Sequence, residues 1–112
     1  LSRATAAQQQ AGSRAEANAI QVRVELQADC LSGVWVNREA TKRPNFIEAG
    51  DIDGALRTAT AIGDDTLQRK TQGRVVPDSF THGSAEQRKR WFMTGYQQGT
   101  VAACNTFGAD RL

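Results

Sequence analysis

From Arg14 to Arg38 the chain runs without a proline, and Ala19, Val22, Leu26, Cys30, Gly33 and Val34 recur mostly at steps of three and four. That spacing lines apolar groups along one face of a helix. A strand cannot satisfy it, because its faces alternate at every second residue. A long helix over 14–38 is therefore the organising element, and other elements must pack on its apolar stripe. Ser13 is placed to cap its start, with Glu16 three positions on to complete a capping box. Abundant alanine and an aromatic content of only 6% favour helices elsewhere as well.

The remaining elements follow from caps and breakers. Residues 1–12 read as a frayed end or the tail of a helix whose start lies upstream. Glu39 to Gly50 holds Pro44 and reads as a connection. Asp51 is expected to cap a helix over 52–62, with Ile52, Ala55, Leu56, Ala59 and Ile62 as its buried stripe and Gly63 as its end. Asp64 or Asp65 is expected to cap a short helix over 66–72, closed by Gly73. Residues 74–83 are irregular, with Val76 held extended by Pro77. Ser84 and Gln87 form a capping box for a helix that carries Trp91, Phe92, Gly95 and Tyr96 inward. Gly99 ends or kinks that helix, and a final turn reaches Cys104. The fold class is all-α, with 1–112 as a single helical unit. Trp35, Trp91, Phe92 and Tyr96 are expected in the core. Asp51, Asp53, Asp64 and Asp65 read as helix caps, since no calcium-loop spacing of oxygen ligands follows them.

Charge and cysteine content narrow the function. Fourteen Lys/Arg against twelve Asp/Glu are interleaved along the chain. No basic stripe with interleaved aromatics is present, which argues against nucleic-acid binding. No apolar run approaches the length of a membrane span. Cys30 and Cys104 cannot form a four-cysteine zinc site or a CxxC redox motif. A disulfide and two buried thiols both remain open on spacing alone.

The chemistry-bearing segment is Glu25 to Asp29. These two carboxylates lie four apart on one helix face, where like charges repel even in water, by roughly 0.2–0.5 kcal/mol. Burial costs more unless a cation is supplied. The helix offers no obvious local remedy, with Gln21, Val22 and Ala28 as the neighbours one turn away. Zinc bound by Glu25 is one answer. An arginine from another helix, or solvation of both groups, is the other.

Longer motifs shift the weight toward zinc and leave the alternative open. ELQADC followed by SGVW (Glu25 to Trp35), GDIDGALRTATAIGDDTLQ (Gly50 to Gln68), VPDSFTHGSAEQRKRWF (Val76 to Phe92) and ACNTF (Ala103 to Phe107) resemble the bacterial putative neutral zinc metallopeptidase family. The resemblance runs from Asn18 to Phe107. It implies a gluzincin-like peptidase in which an HExxH helix brings two histidine ligands and a general-base glutamate. A downstream ExxxD helix then adds the third ligand. On this pattern Glu25 is the third zinc ligand, and Asp29 is a supporting carboxylate that orients a histidine ligand. The resemblance also favours a Cys30–Cys104 disulfide. This sequence departs from the pattern in having one histidine, His82, and no HExxH. The expected upstream helix would lie shortly before Leu1. The chain alone is therefore expected to be inactive and to bind zinc weakly or not at all.

His82 lies in Thr81-His82-Gly83-Ser84, just before a helix start, in a stretch similar to the THPSxxxR of membrane gluzincins. It is a candidate transition-state stabiliser as well as a candidate structural loop residue. Arg88 is a candidate for binding substrate carbonyls or for neutralising Asp29 or Glu25. The implied partners are a peptide or protein substrate and the upstream HExxH segment. A membrane is implied only through an N-terminal anchor outside these residues, and an extracytoplasmic location is expected. The rival is a non-catalytic helical interaction domain that keeps the family fold.

Overall fold

The computed structural model describes residues 12–43, 45, 47–76 and 80–112. The expectation for the first eleven residues lies outside them, as do Pro44 and Pro77. Four α-helices and two short 3₁₀ turns make up the regular structure of the described residues, which contain no strand. They are α1 (Arg14–Lys42), α2 (Ala49–Ile62), α3 (Asp64–Gln72) and α4 (Ala85–Gln98), then 3₁₀ turns at Val101–Cys104 and Thr106–Gly108.

Helix α1 starts where its cap predicts: the Glu16 N–H donates to Ser13 Oγ at 3.1 Å. The Glu16 carboxylate reaches one residue further back than a capping box requires and accepts from the Gly12 N–H. The helix outruns its expected end by four residues, to Lys42. Asn37 to Lys42 contains no helix breaker, and only at Arg43, the residue before Pro44, does the backbone leave the helical region.

Helix α2 begins at Ala49, earlier than expected. Asp51 sits inside its first turn, where its carboxylate accepts the Glu48 N–H at 3.0 Å. Helix α4 carries the expected capping box, with reciprocal bonds between Ser84 and Gln87 of 3.1 and 2.9 Å. Gly99 ends it in the left-handed conformation and does not kink it.

The core lies between α1 and α4. Val22, Leu26, Cys30, Gly33 and Val34 are the buried residues of α1, as the periodicity requires. Ala19, expected among them, is exposed. The two helices cross in backbone contact. A Cβ built on Gly33 would lie 2.1 Å from the Phe92 carbonyl oxygen, and one on Gly95 only 1.8 Å from the Cys30 carbonyl oxygen. No side chain larger than hydrogen fits at either position.

Cys30 and Cys104 are joined in a disulfide. With Val34 they form a buried cluster against which Trp91 packs. The C-terminal segment is tied to α1 a second time: the Arg23 guanidinium donates to the carbonyls of Thr106 and Ala109, and the Thr106 hydroxyl donates to the Arg23 carbonyl. Two further core expectations fail. Trp35 is 55% exposed, and Ile62 on α2 is exposed as well. Trp35 follows Val34 directly and so sits about 100° around the helix from it, outside the face that α4 covers.

Candidate functional site

Glu25 and Asp29 fall on one side of α1, one turn apart, and both are half-buried. The structure gives them different partners. Arg88, one turn into α4, grips Asp29 through two parallel bonds, Nε to Oδ2 at 2.9 Å and Nη2 to Oδ1 at 3.0 Å. Bidentate pairing of this kind is strong and fixes geometry. Glu25 accepts instead from the side-chain amide of Gln21, Nε2 to Oε1 at 2.9 Å. Contrary to the expectation that the helix offers no local remedy, Gln21 supplies one, though a neutral one. Among the described residues no cation lies within ion-pair distance of Glu25.

Electrostatics couple Arg88 to both carboxylates, to Asp29 through hydrogen bonds and charge and to Glu25 through charge alone. Burial pushes the Asp29 carboxyl up from its ordinary value, and the nearby Glu25 charge adds to that. The Arg88 hydrogen bonds and charge pull the other way, as does His82. The same hydrogen bonds hold the Arg88 guanidinium more firmly protonated. Arg88→Met should therefore strand a carboxylate whose side chain is only 18% exposed. We expect a loss of about 2 kcal/mol at neutral pH by urea denaturation. The deficit should shrink as the pH falls, because the folded variant holds the Asp29 proton more tightly than the unfolded chain does. A pH-independent deficit would mean that packing, not charge, sets the cost.

A cavity of ≈ 230 Å³ opens beside this pair, lined by Asp29, Arg88, Phe92 and residues of α2. A second, of ≈ 310 Å³, lies nearer the start of α1, walled by Ala15, Ala19, Val22 and Phe80 with Arg23 and Gln87 at its polar side.

His82 sits on the loop before α4, and its side chain is half exposed. Its Nδ1 lies 2.9 Å from Thr81 Oγ1 and 3.7 Å from Asp64 Oδ1. The two aspartates expected as helix caps serve another purpose. Asp64 and Asp65 do not cap their own helix, which starts at Asp64 with Gly63 in the cap position. Their carboxylates cross to the His82 loop. Asp64 Oδ2 accepts the N–H groups of Thr81, His82 and Gly83 at 2.9, 2.7 and 2.7 Å, and Asp65 Oδ1 accepts that of Ala85 at 2.8 Å. Gly83 has φ of 100°, a left-handed backbone that favours glycine. The signal available in the sequence was the loop itself: consecutive N–H groups with no local acceptor need a partner somewhere.

Comparison with known proteins places the chain in a family. The model of the putative neutral zinc metallopeptidases matches residues 1–107. The chain belongs to that family. Among relatives, the uncharacterized protein YpfJ of Escherichia coli (strain K12) is 53% identical over 100 residues, covering 89% of this chain and 34% of its own length. The uncharacterized protein Rv2575 of Mycobacterium tuberculosis (strain H37Rv) is 48% identical over 99 residues, covering 81% of this chain and 34% of its own. The chain thus spans about a third of the length of the relatives it matches. No solved structure matches at a significant level.

The family's name implies zinc in the complete protein. Glu25 fits one ligand of such a site, being a half-buried carboxylate held by a neutral amide and in ion-pair contact with no cation among the described residues. Asp29 does not fit as a direct ligand, because Arg88 already balances it. Among the described residues no three of histidine, cysteine, aspartate and glutamate converge as a metal site. Among the described helices none is long and apolar enough to cross a membrane.

Proposed function

We propose that this chain is the helical C-terminal part of a zinc-dependent peptidase domain, with Glu25 as the third zinc ligand. The observation that carries the reading is the asymmetry of the carboxylate pair: Asp29 is in ion-pair contact with Arg88, whereas Glu25 feels Arg88 only at longer range and touches no cation among the described residues. Leaving a half-buried carboxylate without a cation costs stability unless a charge arrives from elsewhere. Zinc, when bound, supplies the Lewis acidity that polarises a peptide carbonyl.

The chain's own residues have distinct tasks. Glu25 would hold the metal, and Gln21 would orient the carboxylate for it. Asp29, fixed by Arg88, keeps spare lone pairs on both oxygens, since a carboxylate accepts about four hydrogen bonds. It can therefore accept a ring N–H from a histidine ligand outside these residues. Arg88 acts on Asp29, so its role is positioning and not substrate binding. His82 would donate to charge developing on the substrate. The proton acceptor would come from an HExxH segment, which this sequence lacks. The disulfide supports an oxidising, extracytoplasmic compartment.

The test is peptide hydrolysis by the complete protein. A mixed peptide library should be cleaved, cleavage should stop on chelation, and zinc should restore it. A metal-replete protein that cleaves nothing would favour the non-catalytic interaction domain.

A further inference from the structure

The first turn of α3 holds the chain around His82, from Thr81 to Ala85. Asp64 Oδ2 takes three consecutive backbone N–H groups, the Asp64 N–H donates to the Gly83 carbonyl at 2.8 Å, and Asp65 takes the N–H of Ala85. Ser84, the remaining residue, donates to Gln87. Asp64 is buried, at 8% exposure, so these bonds act with little competition from water. Its second oxygen, Oδ1, faces His82 Nδ1 at 3.7 Å, beyond a hydrogen bond but well within electrostatic reach. Thr81 Oγ1, at 2.9 Å, is the group in hydrogen-bond contact with that nitrogen.

We propose that Asp64 is a positioning residue for His82, fixing the loop and selecting the tautomer that carries the ring proton on Nδ1. A negative oxygen facing Nδ1 favours a proton there, and Thr81 Oγ1 is the acceptor for that N–H. The tautomer of a histidine is set by what its other nitrogen meets. Nε2 is then the working nitrogen. In the neutral ring it is an acceptor, and it becomes a donor only when the ring takes up a second proton, whose charge Asp64 balances. The catalytic use of Nε2 rests on the peptidase reading above; the tautomer does not.

The test is NMR of the ¹⁵N-labelled 112-residue chain with a neutral ring. Two-bond nitrogen–proton correlations distinguish the tautomers. Wild type should show Nδ1–H. In Asp64→Asn the amide oxygen can still accept the loop N–H groups, so the loop persists. Its NH₂ then faces Nδ1, and the ring should switch to Nε2–H. In Asp64→Ala the amides of Thr81, His82 and Gly83 should exchange with solvent at least about tenfold faster, with those of α1 unchanged. A wild-type ring in the Nε2–H form, or an Asp64→Asn ring identical to wild type, would overturn the proposal. An inactive complete protein would remove the peptidase reading and leave these ring signals as they are.

Discussion

Gly95→Ala should cost this fold about 3 kcal/mol or more, seen as a fall in the urea midpoint. The new methyl group would sit 1.8 Å from the Cys30 carbonyl oxygen, 2.8 Å from its carbon and 3.0 Å from the Val34 nitrogen. All three are backbone atoms of α1, so no rotamer change makes room. The helices must part, and Leu26, Cys30 and Val34 then lose the close packing that buries them. Alanine's better helix propensity offers about 1 kcal/mol in the other direction. Overpacking against rigid backbone lies at or above the upper end of its usual 1–3 kcal/mol range and outweighs that gain. Gly50→Ala is the control. Nothing lies within 4 Å of its Cβ position, so it should be neutral or slightly stabilising. A Gly95→Ala variant as stable as wild type would mean that α1 and α4 do not cross in contact.

Removing the disulfide should cost about 4 kcal/mol. The cysteines are separated by 74 residues, and a closed loop of that size restricts the unfolded chain strongly in the chain-entropy model. The Cys30→Ala/Cys104→Ala pair is the right variant, because alanine adds no polar group at positions that are 0% and 1% exposed. The native state should survive, since Arg23 and Thr106 still tie the C-terminal segment to α1. The slope of stability against urea should rise, as the unlinked chain exposes more surface on unfolding. An unchanged midpoint and slope would show that the unfolded chain is already compact without the bond.

What the sequence revealed and what it hid divide along distance in the chain. Helix α1 and the start of α4 were legible because periodicity and capping are decided within a few residues. The Glu25/Asp29 pair was legible for the same reason. Which of the two is neutralised was not, because Arg88 lies 59 positions beyond Asp29. Asp64 and Asp65 misled in the same way. An aspartate at a helix start has an obvious local use as a cap, yet these two bind a loop 17 to 20 residues away. Trp35 misled through its size. A large aromatic suggests core, but its place on the helix lies beside the α4 contact, where two glycines let the backbones touch and leave no room for bulk.

The central claim, that Glu25 holds metal and His82 does not, is tested most directly by zinc analysis of the purified complete protein. Wild type and His82→Ala should each retain a zinc ion per chain, and Glu25→Gln should retain little or none while keeping its fold by circular dichroism. A folded Glu25→Gln protein with its full complement of zinc would contradict the account.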